Sequence, residues 1–196
     1  MEGEAIRLVV GLGNPGERYA GTRHNVGFIA VERFVASLEG AWSAARPGAG
    51  RQAKVRLPGG RELWVVQPHT FMNVSGEMVA AFARYYKIAP PAVLVVADDF
   101  SLPLGKIRVR RQGSSGGQKG LESILRQFGT QEVPRVRLGI GPVPPHYNPA
   151  DFVLGRFRKD ESDCCAEQMR RAADAIRACC EKDVGAAMNS FNGGEK

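Results

Sequence analysis

Apolar and polar positions along the chain predict alternating strands and helices. Short β-branched apolar runs that end in glycine, proline or charge are typical of buried strands, whereas apolar residues recurring every three to four positions are typical of amphipathic helices. The predicted strands are Ile6–Val10, Ala53–Leu57, Glu62–Val66, Val93–Val96, Ile107–Arg111, Arg135–Ile140 and Phe152–Phe157. The predicted helices run from Phe28 to Leu38, from Ser75 to Tyr86, over Leu121–Phe128 and from Asp160 to Lys182, with Ser75 as an N-cap.

The order of these elements indicates an α/β fold. We expect a single domain over residues 1–196, with a core from about residue 6 to about residue 189, built as a mixed, mostly parallel β-sheet flanked by helices. Two strands flank Pro58-Gly59-Gly60 and predict a β-hairpin. Pro142–Pro149 predicts a surface loop rather than a linker, because too few residues follow it to form a second core. The last residues, Asn192–Lys196, are expected to fray.

Composition narrows the class of protein. The chain has 196 residues, 43% of them hydrophobic, with 27 Lys and Arg against 20 Asp and Glu and a net charge of +7. It is long enough to bury a core without disulfides. The longest apolar runs are strand-sized and no signal peptide precedes the first strand, so we expect a cytoplasmic protein with reduced cysteines and no membrane contact. The basic balance favours a polyanionic partner.

One predicted strand carries a row of cations. Lys106, Arg108 and Arg110 alternate with Ile107 and Val109, so the two-residue period of a strand places the three cations on one face. Such a row is costly unless a polyanion compensates it, which favours phosphate binding over a solvated charge run. Further arginines in this half of the chain are Arg111, Arg135 and Arg137.

Two residue patterns suggest chemistry that other features of the sequence oppose. Gly11–Gly16 matches the G-x-G-x-x-G pattern of dinucleotide-binding proteins, but Pro15 lies inside the loop and polar residues delay the helix, so a nucleotide-dependent oxidoreductase is the weaker interpretation. Cys164-Cys165 and Cys179-Cys180 are adjacent pairs, and adjacent side chains on a helix point about 100° apart. We therefore expect structural cysteines and no metal site.

His24 and Asp98 form the candidate chemical pair. His24 lies in the polar cluster Thr22–Asn25 beyond a glycine loop, and Asp98 follows the apolar run Val93–Ala97. The carboxyl ends of sheet strands are where α/β proteins place site residues. If the fold brings the two together, a carboxylate on one imidazole nitrogen fixes the tautomer and raises the basicity of the ring. The residues alone leave open a surface histidine and a solvated strand end.

Several blocks of the sequence resemble the bacterial-type peptidyl-tRNA hydrolases. The blocks run in that family's order over nearly the whole chain, from Ile6 to about Asn189, and together they are far more specific than any single motif. They are Val9–Gly16, Tyr19, Thr22–Asn25, Thr70–Gly76, Asp98, Leu102–Gly105, Gly113–Leu121, Arg135–Gly141 and Phe152–Leu154.

The resemblance implies hydrolysis of the ester that joins a peptide to the 3′ ribose of a tRNA, by a monomer without metal or cofactor. It implies that His24 is the base that activates water, that Asp98 keeps the imidazole basic, and that Asn14 senses the peptide amide and so rejects free aminoacyl-tRNA. The positions that hold the tRNA 3′ end and the peptide correspond to Tyr19, Phe71 and Asn73. The positions that clamp a tRNA phosphate correspond to Arg110 and Arg137.

The sequence departs from the family pattern in two places. Ala97 stands where many members carry a histidine, and Gln118-Lys119 replaces the usual His-Asn. That asparagine contacts substrate and helps to position water in the family. Lys119 instead offers a donor for a phosphate or another negative charge, and no acceptor. These departures keep an alternative open, a non-catalytic RNA-binding protein on the same fold, like the relatives of this family that act in RNA splicing.

Overall fold

A computed structural model describes residues 4–193, which form one seven-stranded sheet and six α-helices. The strands are β1 (Leu8–Gly11), β2 (Ser43–Ala44), β3 (Gly50–Arg56), β4 (Glu62–Pro68), β5 (Val93–Pro103), β6 (Ile107–Arg110) and β7 (Arg135–Gly141). The helices are α1 (Val26–Ala36), α2 (Ser75–Tyr85), α3 (Lys119–Phe128), α4 (Pro149–Leu154), α5 (Ser162–Glu181) and α6 (Val184–Phe191). No helix in this part of the chain is long and apolar enough to cross a membrane.

The sheet has a parallel centre and antiparallel edges. Its order is β2-β3-β4-β1-β5-β7-β6; β4, β1, β5 and β7 pair in parallel, whereas β2, β3 and β6 run antiparallel to their neighbours. The apolar runs of β1 and β5 are buried on both faces, as parallel strands between helix layers are. The predicted mixed α/β fold and the predicted β3–β4 hairpin are confirmed.

Helices cover the two faces of the sheet. On one face α1, α5 and α6 bury residues such as Phe34 and Ile176, and on the other face α2 and α3 bury residues such as Phe82 and Ile124. Leu121 of α3 belongs to this second core. Its packing fixes the start of α3, two residues earlier, relative to the parallel strands. The site described below lies beside this helix start.

The predicted strand Phe152–Phe157 is wrong, because most of its apolar run lies in α4. The side-chain oxygen of Asn148 accepts a hydrogen bond from the Ala150 backbone N–H at 2.9 Å, and Pro149 occupies the first helical turn. Both are strong helix-start signals. The apolar run is too short for its periodicity to distinguish a helix from a strand, so these two signals determine that it forms a helix.

Two further expectations need correction at the ends of elements. Ser75 is the first residue of α2 and caps nothing through its side chain, because a 3-10 turn over Met72–Val74 leads directly into the helix. β5 does not stop before Asp98 but continues to Pro103 through an irregularity after Asp99. Asp98 therefore lies inside a strand, with its backbone fixed by β7.

The outer edge of β6 is closed by a side chain from the end of the chain. Asn192 accepts a hydrogen bond from the Val109 N–H at 2.8 Å and donates one to the Val109 C=O at 2.9 Å. The primary amide thus pairs with the strand as a backbone unit of a neighbouring strand would. The expected fraying does not include Asn192, and residues 194–196 lie outside the described residues.

Candidate active site

His24 is presented by the segment between β1 and α1. A 3-10 turn over Arg23–Asn25 leads into α1, and α1 approaches the sheet closely at Gly27. A Cβ there would lie 2.4 Å from the Val96 carbonyl oxygen and 2.5 Å from that of Leu12, so this approach requires glycine. The close packing brings the start of α1, and His24 with it, against β5.

His24 and Asp98 meet, although 74 positions separate them in the sequence. His24 Nδ1 lies 2.8 Å from Asp98 Oδ2, and the carboxylate side chain is only 2% exposed. Because a carboxylate oxygen accepts, Nδ1 carries the proton and donates it, which leaves the lone pair of Nε2 free. This is the tautomer that a general base needs.

The second oxygen of Asp98 is held by Gln118. Gln118 Nε2 donates to Asp98 Oδ1 at 2.9 Å, and Gln118 Oε1 accepts from the Leu121 backbone N–H at 2.7 Å, which caps α3. Sequence reasoning treated Gln118 only as a departure from the family pattern. Its part in the site depends on which side of the amide faces the strand, and no sequence signal gives that.

Asn14 is fixed by a neighbour that sequence reasoning did not select. Asn25 Oδ1 accepts from the Asn14 N–H and Asn25 Nδ2 donates to the Asn14 C=O, both at 2.9 Å. Asn14 Oδ1 accepts from the Met72 N–H at 2.9 Å. The end of the Asn14 amide that remains for a ligand is therefore the donor Nδ2. Asn25 directly follows His24 in the polar cluster Thr22–Asn25. This position was the one sequence signal that could have identified it as a site residue.

A cavity of about 670 Å³ brings most of the predicted site residues together. Its walls include seven of the nine: Asn14, His24, Phe71, Asn73, Asp98, Lys119 and Arg137. Phe71 is 60% exposed, which is unusual for a phenyl ring and places apolar surface at the opening. The other two predicted site residues, Tyr19 and Arg110, are not among the described residues that line the cavity. Tyr19 belongs to a separate 3-10 turn, and Arg110 to β6.

The predicted cationic face of β6 continues onto β7. Ile107 and Val109 are buried, whereas Arg108 and Arg110 are only partly buried. The antiparallel register places Arg108 opposite Arg137 and Arg110 opposite Arg135. Directly paired residues of antiparallel strands point to the same side of the sheet, so four guanidinium groups share one face. The prediction from the two-residue period is confirmed for Arg108 and Arg110, whereas Lys106 precedes β6 and is not part of the strand.

Arg135 and Arg137 both make polar contacts within the protein. Arg135 is 2% exposed and donates from Nη1 to the carbonyl oxygens of Gly113 and Ser114 at 2.8 and 3.2 Å, which ties down the glycine-rich loop. Burial, reinforced by the charge of Arg137, lowers the pKa of Arg135 to about 10. Arg137 Nη2 lies 2.7 Å from Asp99 Oδ2. Arg135 therefore supports the loop, whereas Arg137, which is 25% exposed, retains access to solvent.

A family model described as peptidyl-tRNA hydrolase matches residues 8–196. The chain is 43% identical over 187 residues to the protein named peptidyl-tRNA hydrolase from Elusimicrobium minutum, covering 95% of this chain and 99% of that one. It is 43% identical over 190 residues to the protein of the same name from Anaeromyxobacter sp. strain K, covering 95% and 96%. The chain belongs to the peptidyl-tRNA hydrolase family. The crystal structure of peptidyl-tRNA hydrolase from Acinetobacter baumannii is similar with a TM-score of 0.90 at 32% identity, over 97% of this chain and 96% of that one.

In this member of the peptidyl-tRNA hydrolase family, α4 forms one wall of the cavity and is anchored through Arg23. The Arg23 guanidinium lies 4.7 Å from the ring centres of both Phe152 and Phe157, and its Nη2 donates to Glu161 Oε2 at 2.7 Å. Such a stacked and ion-paired guanidinium holds several elements at once. The residue before His24 thus links the base to the cavity wall and to the start of α5.

Replacing Glu161 by glutamine is expected to lower the free energy of unfolding by about 1–2 kcal/mol near neutral pH, because a charged acceptor of the buried Arg23 is removed. Burial alone raises the pKa of Glu161, but hydrogen bonds from Arg23 and from the Arg158 backbone outweigh it, so the pKa lies below its ordinary value of 4.5. The contribution is therefore present above pH 4.5 and is lost as the pH falls through the lower folded-state value.

Urea unfolding of the parent and of Glu161→Gln, repeated at several pH values, measures this difference. The two curves are expected to separate at pH 7 and to converge in acid. Asp160→Asn, a neighbouring carboxylate that is 71% exposed, serves as the control. A gap between parent and Glu161→Gln that stays constant down to pH 3 would contradict the assignment.

The cysteines belong mainly to the core of this peptidyl-tRNA hydrolase relative. Cys179 and Cys180 are buried under the sheet, Cys165 is half-buried and Cys164 is exposed. Burial raises the pKa of Cys179 to about 12 and raises that of Cys180 still further, so both stay as unreactive thiols. Among the described residues, no three His, Cys, Asp or Glu side chains cluster as a metal site would require.

Proposed function

We propose that this protein hydrolyses the ester bond between the peptide, or an N-blocked amino acid, and the tRNA in peptidyl-tRNA. The observation that carries the proposal is the His24–Asp98 pair in the wall of the cavity, with Nδ1 and Oδ2 2.8 Å apart. Membership of the family and the names of the relatives support it. We further propose that the protein acts as a cytoplasmic monomer that returns tRNA to use after stalled translation.

In the proposed reaction His24 acts as the general base. Its Nε2 takes a proton from water as the water oxygen attacks the ester carbonyl carbon, and the carbonyl oxygen becomes an oxyanion. Asp98 accepts the hydrogen bond from Nδ1 throughout and so stabilises the imidazolium that forms. When the tetrahedral intermediate collapses, the ribose–acyl C–O bond breaks and the imidazolium returns its proton to the ribose oxygen. The products are a free peptide acid and a tRNA with its terminal hydroxyl restored.

Asn14 and Asn73 supply neutral donors in this mechanism. The free donor of Asn14 is Nδ2, so its partner is a carbonyl oxygen, and the acyl carbonyl of a peptide or N-blocking group provides one. Free aminoacyl-tRNA carries an ammonium group in that region, which offers no acceptor. Asn73 is exposed in the cavity wall and can donate to the oxyanion without competing for the water proton.

The remaining cavity residues fit the tRNA 3′ end. Phe71 offers an exposed ring on which a base can stack, and Lys119, at the first turn of α3, places a cation near a helix N-terminus, which favours a phosphate. Tyr19 retains its proposed role at the 3′ end from the outer 3-10 turn. Gln118 is engaged within the site. Lys119 is therefore the departure from the family pattern that bears most directly on contact with the substrate.

Replacing Arg110 or Arg137 by alanine is expected to weaken tRNA binding and to reduce the slope of log affinity against log salt by roughly 0.7–1 for each phosphate that the variant no longer neutralises. The reason is that the cationic face of β6 and β7 stands beside the cavity and contacts backbone phosphates without reading sequence. Binding titrations at four or five salt concentrations measure the slope. Arg170→Ala, on the exposed side of α5 across the sheet, is the matched control, and an Arg110→Ala slope equal to that of this control would remove Arg110 from the phosphate site.

The decisive experiment is release of the blocked amino acid from an N-acetyl-aminoacyl-tRNA, with unblocked aminoacyl-tRNA as the control and a chelator present. We expect cleavage of the blocked substrate alone, undiminished by the chelator. Cleavage of both substrates would remove Asn14 as the discriminating residue. Binding of tRNA without cleavage of either would overturn the proposal in favour of an RNA-binding protein.

A further inference from the structure

Gln118 connects the candidate base to a helix start. The side chain is buried at the point where α3 begins, in the wall of the cavity. One end of its amide reaches Asp98 Oδ1 at 2.9 Å, and the other end reaches the Leu121 backbone N–H at 2.7 Å. Three hydrogen bonds in series therefore join Leu121 to Gln118, Gln118 to Asp98, and Asp98 to His24.

The direction of the Gln118 amide is fixed by its partners. A backbone N–H can only donate, so the oxygen Oε1 must face Leu121 and the nitrogen Nε2 must face Asp98. The Gln118 Nε2 also lies 3.3 Å from the sulfur of Met72, a weak acceptor that fits the same orientation. Rotating the amide by half a turn would set two donors against each other at Leu121 and two acceptors at Asp98.

A fixed donor at Asp98 Oδ1 has a consequence for His24. Asp98 Oδ1 accepts from Gln118 Nε2, and Asp98 Oδ2 accepts from His24 Nδ1. A buried carboxylate with one oxygen unpaired would bear a large desolvation cost. Gln118 removes that cost by satisfying Oδ1, and it holds the plane of the carboxylate so that Oδ2 points to the imidazole.

We propose that Gln118 is a positioning residue for hydrolysis, which keeps Asp98 an acceptor on both oxygens and His24 in the tautomer with a free Nε2. Its effect on rate rests on the function proposed above, whereas its effect on the His24 tautomer does not. The same side chain caps the helix that begins with Lys119, so the proposed phosphate contact and the proposed base are held by one amide.

Three substitutions separate positioning from capping. Gln118→Glu keeps an acceptor for Leu121 but replaces the donor to Asp98 by a like charge. Gln118→Met keeps the length and removes both hydrogen bonds. Gln118→His retains both, because a neutral imidazole offers one N–H donor and one nitrogen acceptor. Gln127→Glu, exposed on the same helix, controls for the added charge.

We expect kcat for N-acetyl-aminoacyl-tRNA to fall about 10–100-fold in Gln118→Glu and Gln118→Met, with KM within about threefold of the parent. Gln118→His is expected to keep kcat within about fivefold, and Gln127→Glu to match the parent. If Gln118 only caps α3, the pattern is different: Gln118→Glu keeps the parental kcat, and Gln118→Met loses only thermal stability. Parental kcat in Gln118→Glu would overturn the proposal.

The ¹⁵N resonances of the His24 imidazole provide a readout that does not depend on turnover. We expect a proton on Nδ1 in the parent and in Gln118→His, and a mixture of both tautomers in Gln118→Glu and Gln118→Met. If the parent fails to cleave the blocked substrate but shows these tautomers, the proposed function is overturned, while the effect of Gln118 on the His24 tautomer stands. If all four proteins show the same tautomer, the positioning role is overturned whatever the activity.

Discussion

Replacing His24 by alanine is expected to lower kcat for N-blocked aminoacyl-tRNA by about 10²–10⁴-fold, the usual contribution of a general base. Affinity for tRNA should stay within about threefold of the parent, because the imidazole belongs to the proposed reacting end of the cavity and the proposed phosphate contacts lie on β6 and β7. Single-turnover kinetics with enzyme in excess measure the chemical step, and a filter-binding titration measures affinity.

His146→Ala is the matched control for this loss. His146 lies exposed in the loop before α4 and takes no part in the cavity wall among the described residues, so its removal should leave kcat unchanged. Comparable losses from both substitutions would indicate general damage rather than loss of a base. A parental rate in His24→Ala would show that the water is activated elsewhere.

Replacing Asp98 by asparagine is expected to reduce kcat by about 10³-fold or more, although the side chains have nearly the same size. Gln118 Nε2 is a fixed donor, so the oxygen of the new amide must turn toward it and the NH₂ group must turn toward His24. His24 Nδ1 then has to accept, and the imidazole proton moves to Nε2. The nitrogen that faces the water would carry a proton and have no lone pair to receive another.

Asp98→Ala distinguishes a wrong tautomer from a missing charge. Without a partner at Nδ1 the imidazole is free to populate both tautomers, so we expect Asp98→Ala to retain more activity than Asp98→Asn, although it removes more of the side chain. Rates at saturating substrate test the ranking, and ¹⁵N spectra test the proton position. Because both variants lack the negative charge, equal rates would show that the missing charge limits the reaction, and an alanine variant slower than the asparagine variant would contradict the tautomer argument.

Local patterns were sufficient to predict most of the fold and one surface of the site. The two-residue alternation around Ile107 and Val109 correctly assigns the faces of β6, because strand geometry alone decides which side chains point together. The helix over α5 follows from apolar spacing in the same way. At Phe152–Phe157 two local signals conflicted. The apolar composition indicated a strand, but the N-cap at Asn148 starts a helix there.

The pairing of His24 with Asp98 required more than local pattern. The contact depends on β1 and β5 being neighbours in the sheet and on the close approach of α1 at Gly27, both of which arise from long-range packing. The sequence selected the two residues and the family resemblance implied their roles, but neither showed which oxygen or nitrogen meets which. Gln118 illustrates the limit of sequence-based prediction. The residue type departs from the family pattern, yet its side chain donates a hydrogen bond to the Asp98 carboxylate. Only the direction of the amide in the structure reveals this role.

The amide of Asn192 on the edge of β6 bears on how the protein meets other molecules. An open strand edge is a template for pairing with any extended chain, including another copy of the same protein. Here the Val109 backbone is already occupied, and the row of arginines on the adjacent face repels a second copy at close range. Self-association along this edge is therefore disfavoured at the same place where the arginines favour a polyanion, such as the tRNA of the proposed substrate.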